Sequence, residues 1–221
     1  MTLLFDLDGT LTDSCVGICR CINHALATLG REPVPDSRLT GMVGAPLSRI
    51  FASLLESDDA ALLDRAIAAY RSRFDPIGIF ENRLYDGVPE ALRELRTEGH
   101  SLHVVTAKPT VAAIRVLEHF GLAEYFASVH GTHLGDRGCD KAVLVRAALD
   151  VAGGPPAAAV MVGDRADDIR AARAHGARAV AALWGYGSRS ELEAAGPDLL
   201  AARMADLAMW VRRSPHGTIP A

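Results

Sequence analysis

The chain has 221 residues, a formal net charge of −4 and an aromatic content of 5%. This length allows one sizeable domain, or a core with a smaller insert, and it is long enough to bury a hydrophobic core. No run of Lys or Arg could follow a phosphate backbone and no apolar stretch reaches the ~18 residues of a membrane span, so we expect neither nucleic acid nor a membrane as a partner.

The chain opens on a short apolar run that predicts a buried strand. Residues 2–7 form this run, and because side chains alternate along a strand, Asp6 and Asp8 would emerge on the same side, about 7 Å apart. The Gly9–Thr10 turn would expose both carboxylates at the carboxyl end of the strand, where open α/β sheets bind ligands. Two carboxylates this close repel each other unless a cation or a shared proton offsets the charge. The segment therefore indicates a divalent metal and carboxylate chemistry.

The next part of the chain, residues 15–81, contains no convincing strand pattern. Helical patterns cover about 15–29, 46–56 and 59–73. These patterns predict an all-helical insert at 15–81, with residues 1–14 and 82–221 forming the remaining core. The end of the chain, residues 214–221, is expected to be a loose tail.

Four cysteines occur in the chain, three of them close together. The spacing of Cys15, Cys19 and Cys21 lacks the second pair or His cluster that a structural zinc site shows, and Cys139 stands apart. Cytosolic thiols usually stay reduced. We therefore expect Cys15 and Cys19, which are four residues apart, to lie on the buried face of a helix.

Beyond residue 81 the pattern alternates between strands and helices. The strand-like runs are 101–106, 127–130, 157–162 and 177–183, and the helical segments are about 87–98, 110–120, 141–152 and 167–175. Glycines at 99, 121, 153 and 176 follow these helices, where a left-handed residue is favoured. Ser188 and Ser190 are both capping candidates for one more helix. This alternation predicts an α/β fold with a parallel sheet flanked by helices.

Three further polar motifs follow the Asp-x-Asp-Gly-Thr segment of residues 6–10. They are Thr106 after an apolar run, Lys141 at the start of a helix, and Gly163-Asp164-Arg165-Ala166-Asp167-Asp168 after another apolar run. In this order the four motifs resemble those of the haloacid dehalogenase superfamily, and the resemblance spans nearly the whole chain. It implies a Rossmann-like α/β core, and it implies that the helical insert is a cap domain.

The resemblance also implies phosphoryl-transfer chemistry by carboxylates. Asp6 would be the nucleophile that forms an aspartyl-phosphate. Asp8 would protonate the leaving alkoxide and then activate water as a base. Lys141 would place a positive charge near the transferring phosphoryl group.

The family resemblance also implies a magnesium site. Asp164 would complete it with Asp6 and the main-chain carbonyl of Asp8, a donor set that suits Mg²⁺. Asp168 would orient a metal-bound water or a neighbouring ligand. Asp167 is the alternative for this role, although its offset from Asp164 is one residue short of the family spacing.

Several residues are expected to hold the phosphate of the substrate. Thr106 would donate its hydroxyl, together with the following main-chain N–H groups at Ala107, to phosphate oxygens. Gly9 and Thr10 belong to the same predicted phosphate-binding set. Lys108 is a second cation, and its role is open between a substrate contact and an ion pair with the cap.

Two loops could shape the mouth of this site. Residues 40–47 resemble the substrate-specificity loop of helical-capped family members. Arg49, just beyond, could contact a substrate carboxylate or second phosphate by a forked contact, although a solvated surface Arg is the commoner case. Residues 184–187, Trp-Gly-Tyr-Gly, look like a loop at the mouth of the core, and their Gly-x-Gly is weak evidence for a nucleotide site.

The motifs favour phosphomonoester hydrolysis over other reactions of the superfamily. Dehalogenases of this fold lack the second Asp, which is present here as Asp8, and the pumping ATPases have Thr at that position. Phosphomutases often carry Val in place of Thr10. Residues 106–109, Thr-x-Lys-Pro, resemble the phosphoglycolate phosphatase branch, so 2-phosphoglycolate is the first expected substrate.

Other possibilities stay open at this point. They are a nucleoside 5′-monophosphate or sugar-phosphate phosphatase, a phosphomutase, and a non-catalytic phosphoester-binding protein. The partner is expected to be a small phosphorylated metabolite, and the protein to be a monomer or homodimer. Because the first motif begins at residue 6, we expect no cleavable signal peptide and a cytoplasmic location.

Overall fold

The computed structural model describes residues 1–133 and 140–214 of the chain. Cys139 and residues 215–221 of the predicted tail lie outside the described residues. Within the described part, no helix is both long and apolar enough to cross a membrane.

A six-stranded parallel sheet forms the centre of the molecule. The strands of the described residues are β1 (Thr2–Phe5), β2 (Thr12–Asp13), β3 (Arg83–Leu84), β4 (Ser101–Pro109), β5 (Ser128–Thr132), β6 (Ala159–Gly163), β7 (Arg178–Ala182) and β8 (Leu199–Ala201). The order across the sheet is β5-β4-β1-β6-β7-β8, and β2 and β3 form a separate antiparallel ribbon. β1 and β6 are apolar on both faces, as expected for strands that helices cover on both sides.

Four helices lie between the two strands of the ribbon. They are α1 (Cys15–Thr28), α2 (Asp36–Thr40), α3 (Leu47–Leu55) and α4 (Ala60–Phe74), followed by a short 3₁₀ turn at Gly78–Phe80. The ribbon joins the two points where the chain leaves the core and returns to it, with Asp13 opposite Arg83. The boundary of the helical insert at 15–81 and its role as a cap stay predictions.

Six more helices pack around the sheet. They are α5 (Val88–Thr97), α6 (Thr110–His119), α7 (Lys141–Ala152), α8 (Ala166–Arg173), α9 (Arg189–Ala195) and α10 (Met204–Arg213). The helices α5, α6, α7 and α8 are followed by the glycines that the sequence predicted to be left-handed. These are at positions 99, 121, 153 and 176, and each has a positive φ. Of the two capping candidates for α9, Ser188 is the one that accepts a hydrogen bond from the Glu191 amide.

The predicted parallel α/β architecture is confirmed, with differences at the ends of elements. β1 ends at Phe5 rather than at residue 7, because the chain turns around the Leu7 carbonyl, which accepts from the amides of Thr10, Leu11 and Thr12. β8 and the β2–β3 ribbon were not predicted, since each strand has only two or three residues.

The hydrophobic core extends on both faces of the sheet. On one face, Phe5 of β1 and Phe51 of α3 belong to the same buried apolar cluster, so the insert helices and the sheet share one core. On the other face, Leu4 and Met161 pack with residues of α7 and α8, including Leu144. Burial of this extent, at about 25 cal/mol per Å² of apolar surface, is the main force that holds the insert against the core.

Candidate active site

The site lies where the carboxyl ends of the three central strands meet. Asp6 directly follows β1, and its amide donates to the Val162 carbonyl of β6 at 2.9 Å. Asp164 directly follows β6, and Thr106 lies on β4, the other neighbour of β1. Because these strands are parallel and adjacent, their carboxyl ends bring the three polar residues to one edge of the sheet.

Three buried carboxylates gather at this edge. Asp6, Asp164 and Asp168 each offer an oxygen, and these oxygens all lie within 4.8 Å of one another. Asp164 and Asp168 have no exposed surface and Asp6 is 6% exposed. Such a group is costly to bury without a compensating cation.

Lys141 supplies one positive charge to the carboxylates. Its Nζ lies 2.9 Å from Asp6 Oδ2 and also forms an ion pair with Asp168. Burial by itself lowers the pKa of Lys141, but the Asp168 and Asp6 carboxylates outweigh burial and raise the pKa. Lys141 therefore stays an ammonium group, positioned by the Asp140 cap at the start of α7.

The remaining charge balance favours a divalent cation. When all three carboxylates are ionised, the one ammonium leaves two negative charges in a buried volume. Burial, followed by repulsion from Asp6 and Asp168, raises the pKa of Asp164, and burial also raises the pKa of Asp168. An oxygen-only donor set of this charge fits Mg²⁺, which prefers few carboxylates and several waters.

Asp168, rather than Asp167, is the second acid that reaches the cluster. Asp168 accepts a hydrogen bond from the Arg165 amide at 2.9 Å, which fixes its carboxylate at the start of α8. Asp167 is exposed and forms an ion pair with Arg170. A Cβ atom at Gly163 would lie 2.1 Å from Asp168 Cγ, so only glycine allows Asp168 to come this close to β6.

Asp8 lies apart from the metal-binding group and pairs with Lys108. The Lys108 Nζ is 2.5 Å from Asp8 Oδ2, and both side chains are nearly buried, at 6% and 12% exposure. The other oxygen, Asp8 Oδ1, is buried and has no hydrogen-bond partner in the part of the chain that the structure describes. The proposed metal contact of the Asp8 main-chain carbonyl stays a prediction.

Two of the predicted phosphate-binding residues, Thr106 and Ala107, lie on β4 and differ in exposure. Thr106 is buried, and its Oγ1 accepts from the Lys108 amide at 3.2 Å, while Ala107 is exposed. β4 continues beyond Thr106 to Pro109, but its register with β5 shifts after Val105. Thr106 therefore lies at an irregular part of the strand rather than at its end.

Gly9 and Thr10 contact the metal-binding carboxylates in this structure. The Thr10 hydroxyl donates to Asp164 Oδ1 at 3.2 Å. A Cβ atom at Gly9 would lie 2.3 Å from Asp164 Oδ2. The turn after β1 thus packs directly on Asp164.

The predicted specificity loop lies next to the site. A Cβ atom at Gly44 would contact the Arg165 side chain at 3.9 Å, which brings the loop to the residue after Asp164. Arg49 is exposed on α3. Its contact with a substrate stays a prediction.

The Trp-Gly-Tyr-Gly loop contributes contacts that the sequence did not reveal. The Tyr186 amide donates to Asp164 Oδ2 at 2.8 Å, and the Trp184 indole donates to the Thr10 carbonyl at 2.9 Å. The Tyr186 hydroxyl donates to Asp13 Oδ1 at 3.0 Å, at the base of the insert. Cβ atoms at Gly185 and Gly187 would lie 2.3 Å from Asp164 Cβ and 2.0 Å from the Asp164 carbonyl oxygen, so close packing against Asp164 explains the Gly-x-Gly spacing. That spacing was the only sequence signal for this loop.

Comparison with known families agrees with the geometry of the site. A family described as haloacid dehalogenase-like hydrolase matches residues 3–182. The chain belongs to this family. The fold and the resemblance predicted from the four motifs are both confirmed.

Related proteins with assigned activities are mainly phosphatases. A 5′-nucleotidase of Pseudomonas aeruginosa is 38% identical over 205 residues, covering 93% of this chain and 92% of that protein. A phosphoglycolate phosphatase of Agrobacterium fabrum is 35% identical over 192 residues, covering 83% of this chain and 80% of that protein. A tyrosine-protein kinase, PtkA of Mycobacterium tuberculosis, is 40% identical over 188 residues, but the match covers 84% of this chain and only 62% of the kinase.

Solved structures support the same class. The crystal structure of a predicted phosphatase from Clostridium acetobutylicum superimposes with a TM-score of 0.90 at 34% identity, covering 96% of this chain and 98% of that one. The chain is therefore a phosphatase of the haloacid dehalogenase-like hydrolase family.

Proposed function

We propose that the protein is a Mg²⁺-dependent phosphomonoester hydrolase that forms an aspartyl-phosphate on Asp6. The observation that carries this proposal is the buried group of Asp6, Asp164 and Asp168 around Lys141 at the edge of the sheet. Its net negative charge and oxygen donors are suited to a divalent cation and a phosphate ester together.

The reaction can be assigned to two carboxylates. Asp6 attacks phosphorus, the P–O bond to the alcohol breaks, and the leaving oxygen takes a proton from Asp8. In the second step Asp8 takes a proton from water, the water oxygen attacks phosphorus, and the bond from phosphorus to the Asp6 oxygen breaks. Inorganic phosphate leaves, and both carboxylates return to their starting states.

Mg²⁺ fits the three carboxylates, and when bound it would neutralise charge on the phosphoryl oxygens. Asp6, Asp164 and Asp168 would hold it, with the main-chain carbonyl of Asp8 as the further donor. Thr10 donates to one carboxylate oxygen of Asp164 and the Tyr186 amide donates to the other, which orients the carboxylate. Such outer hydrogen bonds keep metal ligands in place.

The phosphoryl group would be held by cations and amide groups at the same edge. Lys141 is fixed between two carboxylates and would face the charge that develops in the transition state. Thr106, the Ala107 amide and the Gly9–Thr10 turn would complete the phosphate pocket, with Lys108 beside it. The insert helices would exclude water from this pocket during transfer.

The substrate is proposed to be a small phosphorylated metabolite. 2-Phosphoglycolate is the first candidate, supported by the Thr-x-Lys-Pro motif and by the phosphoglycolate phosphatase relative. A nucleoside 5′-monophosphate is the second candidate, supported by the 5′-nucleotidase relative. A monomeric or homodimeric state and a cytoplasmic location are also proposals.

Release of inorganic phosphate from a panel of phosphate esters tests this function. The panel contains 2-phosphoglycolate, nucleoside 5′-monophosphates and sugar phosphates, each with Mg²⁺ or with EDTA. We expect release with Mg²⁺ alone and its loss in Asp6→Asn, whereas Asp167→Asn, an exposed neighbour of the cluster, should keep activity. Release that persists in EDTA, or in Asp6→Asn, would contradict the proposal.

A further inference from the structure

Lysine is almost absent from this chain except at the active site. Of the 23 basic residues other than histidine, only Lys108 and Lys141 are lysines. Both have nearly buried side chains, at 6% and 11% exposure, and both form ion pairs with carboxylates of the site. Lys141 already has a role in the proposed mechanism, so the position of Lys108 needs its own explanation.

Lys108 lies between the core and the insert. On one side its Nζ is 2.5 Å from Asp8 Oδ2. On the other side the Nζ lies 5.2 Å from the centre of the Phe74 ring, at the end of α4. A buried ammonium on an aromatic face is attracted by the negative face of the ring, and this attraction is stronger when water is excluded.

The contact with Phe74 is itself supported by packing within the insert. The Phe74 ring stacks on Tyr70 with centroids 5.2 Å apart, and Tyr70 packs edge-to-face on Phe51. Tyr70 and Phe74 are each at least nine-tenths buried. The ring that faces Lys108 is therefore held in place by side chains of α3 and α4.

The two oxygens of Asp8 have different surroundings. Oδ2 is paired with Lys108, whereas Oδ1 is buried without a hydrogen-bond partner among residues 1–133 and 140–214. An oxygen that transfers a proton to a leaving group must be free of other hydrogen-bond partners and must be oriented toward that group. Because Lys108 occupies Oδ2, the unpartnered Oδ1 is the oxygen left to exchange a proton once a bound substrate displaces the groups that enclose it.

We infer that Lys108 is a positioning residue that anchors Asp8 Oδ2, presents Oδ1 to the leaving group, and depends on Phe74 of the insert for its own position. This inference rests on the proposed function, in which Asp8 is the acid and base. The partner of Lys108 is a carboxylate of the core, which is neither the substrate contact nor the ion pair with the cap that the sequence left open. The link to the insert runs through the Phe74 ring, so the acid–base group is complete only when the insert is packed on the core. A lysine suits this place because its compact ammonium can face a carboxylate and an aromatic ring at once.

Kinetics of phosphoryl transfer test the effect on Asp8. In Lys108→Met, rapid-quench measurement should show that phosphoenzyme formation from an alkyl phosphate slows by roughly 10- to 100-fold with KM unchanged. This is only part of the roughly 10²- to 10⁴-fold that a general acid contributes, because Asp8 itself is still present. Transfer from p-nitrophenyl phosphate should slow much less, because its leaving group hardly needs a proton. Lys108→Arg should restore part of the loss.

The opposite kinetic pattern would overturn the inference. If Lys108 contacted the transferring phosphoryl group, both substrates would lose the same factor in Lys108→Met and KM would rise. Equal rates in wild type and Lys108→Met would also contradict a positioning role.

NMR of the lysine side chains tests the contact with Phe74 without any turnover. Because the chain has only two lysines, protein labelled with ¹³C at lysine Cε should give two side-chain signals, assigned with Lys108→Arg. The ring current of Phe74 should shift the Lys108 signal upfield, and Phe74→Leu should remove that shift without moving Lys141. Phe74→Tyr, which keeps the ring, should retain it.

The two experiments separate failure of this inference from failure of the proposed function. An unshifted Lys108 signal in active wild-type protein, or one that is the same in Phe74→Leu, would overturn the coupling to the insert alone. A protein that releases no phosphate from any ester would overturn the proposed function. The labelled spectrum would then still decide whether Lys108 lies on the ring.

Discussion

At the scale of single residues, the groups around Asp164 restrict its side chain to one conformation. Its two carboxylate oxygens accept from Thr10 and from the Tyr186 amide. Cβ atoms at Gly9 or Gly185 would lie 2.3 Å from its side chain. The two glycines leave room for this carboxylate beside Asp6 and Asp168, and the two hydrogen bonds hold it there.

Gly185→Ala should therefore damage the metal-binding group. The new methyl would lie 2.3 Å from both Asp164 Cβ and the Gly9 carbonyl oxygen, and neither is the end of a flexible side chain. We expect overpacking to cost about 1–3 kcal/mol of stability and the apparent affinity for Mg²⁺ to fall. The measurement is the Mg²⁺ concentration that gives half-maximal activity, with Gly154→Ala, whose Cβ would make only an ordinary contact with Thr2 Oγ1 at 3.9 Å, as a control for changes remote from the site. Wild-type Mg²⁺ dependence in Gly185→Ala would refute the packing argument.

A second residue-scale feature is a chain of histidines and serines between β4 and β5. His103 contacts the hydroxyls of Ser101 and Ser128 at 2.9 and 2.7 Å, and His130 contacts Ser128 at 2.6 Å. Burial lowers the pKa of both histidines below the ordinary value of 6.5. The folded state therefore binds fewer protons than the unfolded state once the pH falls below that value, and stability is lost as the pH falls further.

His103→Gln should weaken this pH dependence. The variant should be less stable than wild type at pH 7.5, because two hydroxyls lose a partner, but it should lose less free energy of unfolding between pH 7.5 and 5.5. Urea unfolding at both pH values, in EDTA, measures the difference. An unchanged difference between the two pH values would show that His103 does not carry the effect.

The sequence was informative about residues whose chemistry is local and less so about residues whose partners are distant. Asp6, Asp164, Asp168 and Lys141 were predicted to meet, and the structure brings them together, although their roles stay predictions. The partner of Lys108 could not be deduced, because Asp8 is 100 residues away in the sequence and the order of motifs does not determine side-chain pairing.

At the scale of elements, the base of the insert is held by close backbone packing and one ion-pair group. α1 passes so near the 3₁₀ turn at Gly78–Phe80 that a Cβ atom at Gly17 would lie 2.1 Å from the Gly78 carbonyl oxygen. Beside this contact, Glu81 accepts from Arg73 at 2.7 and 3.0 Å and from Arg20 at 2.7 Å. These contacts join the beginning and the end of the insert.

Gly17→Ala should loosen this junction. Backbone atoms cannot move aside as a flexible side chain can, so we expect a loss of about 2–3 kcal/mol and a fall in melting temperature of roughly 4–12 °C. Gly41→Ala, whose Cβ would meet no neighbour within 4 Å, is the matched control within the insert. Melting curves followed by circular dichroism give the comparison, and equal melting temperatures for the two variants would contradict the close packing.

Glu81→Gln should destabilise the same junction in a pH-dependent way. Hydrogen bonds from Arg73, and then from Arg20, lower the pKa of Glu81 to about 2 despite partial burial. The stabilisation by Glu81 is therefore present above its ordinary pKa of 4.5 and is lost as the pH falls toward 2. Wild type should be more stable than Glu81→Gln at pH 7, and in urea unfolding the gap should be smaller at pH 3 and close near pH 2. A gap that is the same at pH 7 and pH 3 would exclude the ion pair as the cause.

Elements with a long periodic pattern were predictable and short ones were not. The helices at 110–119 and 141–152 match their predicted ranges closely, because apolar spacing and a following glycine define both ends. The ribbon of β2 and β3 has two residues in each strand, so no alternation could be recognised. The two strands pair because the chain leaves the core at Asp13 and returns to it beside that point, at Arg83.

At the scale of the whole molecule, the site joins three parts of the chain that fold together. Asp6 and Asp164 directly follow β1 and β6, Thr106 lies on the neighbouring strand β4, and the insert contributes Phe74 to the same region. A cation bound by the three carboxylates would stabilise the folded chain, since the unfolded chain cannot gather them.

Mg²⁺ should therefore raise the melting temperature of the protein. At a concentration about 100 times the dissociation constant, the stabilisation is about 2.7 kcal/mol, or roughly 5–10 °C for a chain of this size. The increase should be larger at pH 8 than at pH 6, because the raised pKa values of Asp164 and Asp168 mean that protons compete with the metal at lower pH. Differential scanning fluorimetry with Mg²⁺ or EDTA measures both effects.

Asp164→Asn is the informative variant for that experiment. Its metal-free form should be at least as stable as wild type, because a neutral amide relieves the burial and repulsion that raise the pKa of Asp164. Its response to Mg²⁺ should vanish, while Asp167→Asn should respond as wild type. A full Mg²⁺ response in Asp164→Asn would place the metal elsewhere.

The most direct test of the central claim is to locate the phosphoryl group on the enzyme. A single turnover with the best substrate, quenched in acid and digested after arginine, yields the peptide from Met1 to Arg20, which contains Asp6. We expect this peptide to gain the mass of one phosphoryl group on Asp6, and Asp6→Asn to gain none. Substrate turnover with a phosphoryl group on another residue, or wild-type phosphate release by Asp6→Asn, would contradict an aspartyl-phosphate mechanism at Asp6.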